Sequence, residues 1–157
     1  MLIRRYDPAR GDGPATFGVF VRAVRRTASA HYDAAQVAAW TEADPTAWAE
    51  ARSRRRTFVA EVDGRVVGVV DLDDGGLIDV LFVDPDIGRR GVGSALLAEV
   101  LREGARRGIR ELHARVSLTA EPVFARSGFR TVARHRPVVR GRAFVNLEMR
   151  RPTAGTA

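Results

Sequence analysis

A loop rich in glycine and arginine is the segment of this sequence whose residue types most directly indicate chemistry. It lies within residues 82–97, FVDPDIGRRGVGSALL, between a short apolar run and an amphipathic segment. Glycines at 88, 91 and 93 let the backbone turn sharply and approach a ligand without hindrance from Cβ atoms. The helix predicted to follow would direct unpaired N–H groups and its positive dipole end at the loop. The loop is either an anion-binding cradle or an ordinary strand-to-helix connection.

Two well-known phosphate-binding patterns do not match this loop. A P-loop requires the sequence GxxxxGK[ST], and the chain contains no lysine. A dinucleotide-binding loop requires GxGxxG in the first βαβ unit, whereas Leu96 stands where the third glycine belongs. The loop also follows a late strand of a hairpin series. Both patterns are therefore disfavoured.

Composition limits the class of protein. The 157 residues correspond to one domain, predicted to span residues 1–150, with a disordered tail over 151–157. No run approaches the roughly 18 apolar residues of a membrane span, and the N-terminus does not read as a signal peptide. The absence of cysteine excludes disulfides, thiolate metal sites and a cysteine nucleophile. No His, Asp or Glu cluster has metal-ligand spacing, so we expect a soluble, cytoplasmic, metal-free protein.

The formal charge of +7 raises the question of a polyanionic partner. All 26 basic residues are arginine, a bias that is also typical of a GC-rich genome. Nucleic-acid binders usually cluster arginine on one face with aromatic residues between, whereas here the arginines are spread along the chain. The distribution argues against nucleic acid as a partner.

The hydrophobic periodicity predicts the element order β-α-α-β-β-β-α-β-α-β-β, a mixed sheet with helices on its faces. Asp33, with Gln36 three residues later, predicts a helix start, and Asp44 followed by proline predicts another. The dipeptide 63–64, Asp-Gly, predicts a hairpin. Residues 76–85, GLIDVLFVDP before Asp86, read as one strand stopped by proline.

The strand end LFVDP followed by GRRGVGSALL resembles motif A of the GNAT superfamily of acyl-CoA-dependent N-acyltransferases, R/Q-x-x-G-x-G/A. The segment PVFARSGF is similar to another element of that family, and the order of strands and helices resembles the GNAT order over nearly the whole chain. More narrowly, a bacterial branch of the family is similar in three segments, HYDAAQVAAW, IDVLFVDPDIGRRGVGSALL and LTAEPVFARSGF. The resemblance implies an α/β (α+β) fold. Its mixed, mostly antiparallel sheet would have about seven strands, splayed in the middle, with helices on both faces.

The same resemblance implies acetyl-CoA as co-substrate. The turn amides would hold the pyrophosphate, the strand before the loop would pair with the pantetheine arm, and an N–H near Val83 would stabilise the oxyanion. The implied cofactor-binding residues are Leu81, Phe82, Val83, Gly88, Arg89, Arg90, Gly91, Val92, Gly93, Ser94, Ser117 and Phe124.

Three positions depart from the family pattern. Gly88 stands where motif A begins with Arg or Gln, so one side-chain contact is absent. Ser117 replaces the asparagine of the pattern NxxAxxxY. Phe124 replaces the tyrosine that in many members protonates the departing thiolate, and phenylalanine cannot donate a proton.

Three residues are candidates for the proton transfers that remain. Asp79 shares a strand face with Leu81 and could accept the amine proton, unless it is simply an edge or salt-bridged aspartate. Tyr32 lies where the family lines its acceptor site and could replace the missing acid, or it could only shape that site. His31 titrates near neutrality and is the third candidate.

The predicted function is transfer of an acetyl group from acetyl-CoA to a primary amine, on a small molecule or a peptide, by direct attack in a ternary complex. Phe124 motivates an alternative, a catalytically weakened acyl-CoA-binding module with a regulatory role. The sequence identifies neither the amine acceptor nor the oligomeric state, and a homodimer is left open.

Overall fold

The computed structural model describes residues 1–26, 30–87 and 89–153. Its helices are α1 (Asp12–Arg26), α2 (Ala34–Thr41), α3 (Pro45–Arg54), α4 (Val92–Arg106) and α5 (Glu121–Arg126). Its strands are β1 (Leu2–Arg5), β2 (Arg56–Val62), β3 (Arg65–Leu72), β4 (Leu77–Ile78), β5 (Leu81–Val83), β6 (Glu111–Ser117), β7 (Arg130–His135), β8 (Val138–Val139), β9 (Arg142–Ala143) and β10 (Asn146–Pro152). In these ranges no helix has the length and apolar character to cross a membrane.

The helix starts and turns predicted from local sequence are confirmed. The Asp33 carboxylate accepts from the Gln36 amide N–H at 2.7 Å, and the Gln36 side chain accepts from the Asp33 N–H at 2.9 Å. The Asp44 carboxylate caps α3 by accepting from the Thr46 backbone N–H at 2.9 Å. Asp63, with a positive φ of 52° before a glycine, closes the β2–β3 hairpin.

The strands form two four-stranded sheets rather than one continuous sheet. The first has the order β1-β2-β3-β5 and is antiparallel throughout. The second has the order β4-β6-β10-β7, in which only the β4–β6 pair is parallel. The β8–β9 hairpin stands apart. The prediction of one strand across residues 76–85 is wrong, because that segment divides into β4 and β5, which pair in different sheets.

Helices cover both faces, as predicted. The larger apolar cluster joins α4 and α5 to one face and includes Leu96, Leu112, Phe124 and Met149. A second cluster lies under α1, α2 and α3 on the other face. Counting β4 and β5 as halves of one interrupted strand, and leaving the β8–β9 hairpin aside, recovers the expected seven strands.

The ordered chain continues beyond the predicted domain end at residue 150. β10 extends through Arg151 to Pro152, and the Thr153 N–H donates to the Arg110 carbonyl oxygen at 3.0 Å. The prediction that a disordered tail begins at residue 151 is therefore wrong for residues 151–153. Residues 154–157 lie outside the described ranges.

The first turn of α4 packs on the sheet at a glycine. A Cβ atom added to Gly68 on β3 would lie 2.9 Å from both Leu96 Cδ1 and Val92 Cγ1. Real Cβ atoms do not approach carbon so closely, so the missing side chain is what allows this approach. Gly68 thereby determines how near the glycine-rich loop lies to the end of β5.

We predict that Gly68→Ala destabilises the protein by about 1–3 kcal/mol through overpacking and also weakens binding of coenzyme A, the ligand that the family resemblance implies, because the start of α4 is displaced. Denaturant unfolding and titration calorimetry with coenzyme A measure the two effects. Gly104→Ala is the control, since its Cβ would crowd Leu112 and Thr153 at the far end of the same helix. Equal coenzyme A affinity in both variants would contradict the prediction.

Candidate active site

A gap opens between the two sheets at the break between β4 and β5. β4 pairs with β6 through Leu77–His113 and Ile78–Ala114. Beyond Ile78 the chain leaves β6, and β5 pairs with β3 instead. The edges of β5 and β6 that face each other across the gap are therefore available to a ligand.

A buried carboxylate holds the break open. Asp71 on β3 is fully buried, and its Oδ1 accepts from the backbone N–H groups of Asp79 at 2.8 Å and Val80 at 3.1 Å. Its Oδ2 accepts from Arg55 Nε at 2.6 Å and lies 3.4 Å from Arg52 Nη2. Burial raises the pKa of the Asp71 carboxyl, and the two guanidinium groups oppose that rise. A side chain thus replaces the backbone partners that an unbroken strand would have.

Only alternate residues of β5 present their backbone groups to the gap. The Asp84 N–H donates to the Val67 carbonyl oxygen on β3, and the Val80 carbonyl oxygen accepts from the Asp71 N–H on β3. Asp84 and Val80 therefore both direct backbone groups toward β3. Because bonded pairs alternate along an antiparallel ladder, Phe82 also faces β3, while Leu81 and Val83 face the gap. The prediction that the backbone of Phe82 pairs with the pantetheine arm is therefore corrected, and only its ring reaches the cavities.

The loop forms one end of an open groove of about 730 Å³. Gly91 precedes α4 in the left-handed conformation at φ 73°, and within the described ranges no side-chain cap bonds to the start of this helix. A Cβ on Gly93 would lie 3.1 Å from Val123 Cγ2, so this glycine keeps the groove wall close to α5. Free N–H groups and nearby arginine make this end of the groove suited to an anion.

Most of the predicted cofactor-binding residues line this groove. They are Leu81, Phe82, Val83, Arg89, Gly91, Val92, Gly93, Ser94 and Ser117. Arg90 is exposed and is absent from the wall, Phe124 lies in a second cavity, and Gly88 falls outside the described residues. Thr119 and Arg126 were missed by the sequence reasoning. The Thr119 Oγ1 atom is buried without a hydrogen-bond partner among the described residues, which no sequence pattern would reveal.

A second cavity, of about 390 Å³, lies on the other side of the gap. Its aromatic lining consists of Phe20, Tyr32, Trp40, Trp48, Phe82, Phe124 and Phe144. The groove and the cavity share Trp40, Leu81, Phe82, Ser117 and Ala120. The two spaces therefore meet at the splayed strands, where a group bound in one could react with a group bound in the other.

Asp79 lies in this second cavity with its side chain 56% exposed. The Arg52 Nη2 atom lies 3.4 Å from the Asp79 Oδ2 atom. Arg52 itself is 3% exposed and stacks over the Trp48 ring at 4.5 Å, with Nε and Nη1 lacking partners in the described structure. The Asp79 carboxylate is thus oriented by a buried cation while remaining accessible to a ligand.

Tyr32 and His31 occupy different environments. The Tyr32 hydroxyl donates to the Val145 carbonyl oxygen at 3.0 Å and accepts from the Leu118 N–H at 3.1 Å, and burial raises its pKa. The hydroxyl proton is therefore already used in the hydrogen bond to Val145, which is part of the cavity wall. His31 is exposed and lies outside both cavities, so the structure brings together only Asp79 and the Tyr32 ring.

The comparisons agree with this geometry. The profile of the Acetyltransferase (GNAT) domain family matches residues 28–151. The chain belongs to the GNAT family of N-acetyltransferases. It is 40% identical over 148 residues to the uncharacterized N-acetyltransferase YafP of Escherichia coli (strain K12), covering 94% of this chain and 93% of YafP.

Solved GNAT structures share the fold of this family member. The GCN5-related N-acetyltransferase from Rhodopseudomonas palustris superposes with a TM-score of 0.91 at 28% identity, covering 96% of this chain and 94% of that one. The acetyltransferase yncA of Salmonella typhimurium, solved with acetyl-CoA, superposes with a TM-score of 0.73 at 24% identity, covering 100% and 96%.

This GNAT protein has an apolar ring, Phe124, at the position where the motif resemblance implies a tyrosine. Phe124 is 3% exposed and packs edge-to-face on Phe129 with ring centroids 5.1 Å apart. Ser117, at the asparagine position, accepts from the Ala120 N–H through Oγ at 3.1 Å and shapes the turn before α5. Phe124 has no proton to offer a thiolate, whereas the accepting Ser117 hydroxyl keeps its own hydrogen.

We predict that Asp71→Asn lowers the free energy of unfolding by about 3 kcal/mol, because it removes the buried carboxylate that Arg52 and Arg55 share and leaves Arg52 only the half-exposed Asp79 carboxylate. Denaturant unfolding gives the value. Asp74→Asn is the matched control, since Asp74 lies on the surface of the following turn and pairs with Arg56. If the two variants were equally stable, Asp71 would not be the residue that holds the break.

Proposed function

We propose that this protein transfers the acetyl group of acetyl-CoA to a primary amine, on a small molecule or a peptide, by direct attack in a ternary complex. The observation that carries the proposal is the meeting of two spaces at the splayed strands. One is an open groove with an anion site at its end, and the other is an aromatic cavity with one carboxylate.

Coenzyme A fits the groove by its chemistry. The N–H groups at the start of α4, with Arg89 and Arg126 on the groove wall, suit its phosphates. The pantetheine arm carries amides, and the gap-facing backbone groups of Leu81 and Val83 can pair with them as a strand would. The acetyl-CoA complex of the Salmonella relative supports this assignment.

The acceptor amine must lose a proton before or during attack, since such amines have pKa values of about 10. Asp79 is the one carboxylate on the second cavity in the described ranges, and no imidazole lines it. Asp79 accepts the proton from the amine, directly or through water. The amine nitrogen then forms its bond to the acetyl carbon.

The thioester carbonyl and the thiolate need less from the protein. A gap-facing N–H of β5, at Leu81 or Val83, donates to the developing oxyanion. The C–S bond breaks and coenzyme A leaves as a thiolate, whose pKa of about 8.5 makes it a tolerable leaving group. With Phe124 at the tyrosine position, the thiolate takes its proton from solvent.

We predict that Asp79→Asn lowers kcat for amine acetylation by about 10²–10⁴-fold, the usual loss on removing a general base, while coenzyme A affinity stays unchanged. Thiol release from acetyl-CoA with an amine panel measures the rate, and calorimetry measures the affinity. Asp74→Asn serves as the control outside the cavity. Unchanged turnover in Asp79→Asn would remove Asp79 from the mechanism.

Tyr32→Phe tests the acid role that the sequence allowed for Tyr32. We predict a loss of about 1–2 kcal/mol in unfolding free energy, because the Leu118 N–H and the Val145 carbonyl lose their partner. Since burial raises the Tyr32 pKa above its usual 10.0, this contribution is fully present below pH 10 and is lost as the pH rises through the folded pKa. Thermal melts against pH measure it. A fall in kcat of about 10²-fold without loss of stability would instead make Tyr32 the acid.

Phe124 supports a second candidate, a catalytically weakened acyl-CoA-binding module with a regulatory role, because it removes the proton donor that many relatives have. That protein would be stabilised by coenzyme A in a thermal melt and yet release no thiol with any amine. Turnover that depends on Asp79 excludes this candidate.

A further inference from the structure

Arg115 is a cation on the wall of the second cavity that the preceding steps leave unused. It is an exposed residue of β6, and it makes no hydrogen bond or ion pair with any residue in the described ranges. Its cross-strand neighbour is Glu148, whose carboxylate accepts from Arg150 Nη2 at 2.6 Å and lies 3.1 Å from His135 Nε2. Those hydrogen bonds chiefly lower the pKa of Glu148, and Arg115 adds a smaller Coulombic part.

The strand register places Arg115 beside Asp79. β4 and β6 run parallel with Ile78 opposite Ala114, so Asp79 and Arg115 are the next residues on each strand, where the two strands separate. Both line the second cavity, and no ion pair joins them. A carboxylate and a guanidinium therefore lie on opposite sides of the gap without neutralising each other.

The remainder of this cavity is largely apolar. Phe20 stacks on Trp48 with ring centroids 4.8 Å apart, and Trp40 and Phe144 contact Tyr32 edge-on or tilted at 5.6 Å. The Asn146 Oδ1 atom is a further wall group, buried and without a hydrogen-bond partner in the part of the chain that the structure describes. A ligand that fills this space needs an apolar body, with its charges confined to the end near the gap.

We propose that Arg115 is a specificity-determining residue that selects amines carrying a carboxylate beside the amine, namely α-amino acids with apolar side chains. This inference rests on the function proposed above. The amine lies toward Asp79, and the carboxylate binds the Arg115 guanidinium, whose planar fork matches a carboxylate. The side chain occupies the space between the rings. The N–C bond forms as the C–S bond breaks, the amine proton passes to Asp79, and the product is an N-acetyl amino acid.

L-Phenylalanine and phenethylamine test the proposal, because they share the ring and the amine and differ in the carboxylate. We expect kcat/KM for phenylalanine to exceed that for phenethylamine by about ten- to hundredfold, the usual value of a hydrogen bond between charged groups. In Arg115→Gln this ratio falls by the same factor, and Arg115→Lys, which keeps charge without the fork, gives an intermediate ratio. L-Phenylalaninamide should behave like phenethylamine.

Arg134→Gln is the matched control, because Arg134 is an exposed arginine on the sheet face opposite to that of Arg115. Its cross-strand partner is Leu147, whereas the partner of Arg115 is the next residue, Glu148. It should leave the ratio unchanged. A higher kcat/KM for phenethylamine, or a ratio unaffected by Arg115→Gln, overturns the inference while leaving acetyl transfer intact. No thiol release with either probe also overturns it, and a wider panel of lysine peptides and polyamines then shows whether the proposed function itself fails. Thermal melts verify that each variant is folded.

Discussion

The buried Asp71 carboxylate is the interaction on which the rest of this structure depends. By accepting two consecutive N–H groups, from Asp79 and Val80, it ends the pairing of β4 with β6 and allows β5 to pair with β3. The gap that results joins the groove to the aromatic cavity. A buried carboxylate of this kind is tolerable only because Arg52 and Arg55 lie beside it. The same break brings Asp79 to the cavity.

Two arginines near the cavity have different roles, because one is buried between carboxylates and the other is exposed. Arg52, enclosed between Asp71, Asp79 and the Trp48 ring, joins the break in the strand to the cavity wall. Arg115, in contrast, lies on the cavity wall and forms no hydrogen bond or ion pair with any residue in the described ranges. Hydrogen bonds hold the aromatic wall at its edges. The Gln36 side chain on α2 donates to the Ala143 carbonyl oxygen on β9, and the Tyr32 hydroxyl bonds to the backbone of both Val145 and Leu118. The aromatic wall of the cavity is therefore fixed by hydrogen bonds at its edges, and its polar groups are few.

Local sequence signals predicted the elements well where the structure is local. The capping box at Asp33 and the Asp63 hairpin are decided by hydrogen bonds within a few residues, so composition and spacing suffice. The single strand expected over residues 76–85 failed because an alternating apolar run does not say which partner each half will choose. Similarly, nothing in the neighbourhood of Tyr32 indicated that its hydroxyl would be used by Val145 and Leu118, both far along the chain.

By itself, the sequence determined the glycine-rich loop, its place between a strand and a helix, and membership of the GNAT family, because all three depend on residues adjacent in the chain. The tertiary structure alone decided that Leu81 and Val83, but not Phe82, present their backbone to the gap. It also placed Asp79 and Arg115 on facing strands of one cavity. These are consequences of strand register and of the buried Asp71 contact, which join residues distant in sequence and leave no periodic signal in it.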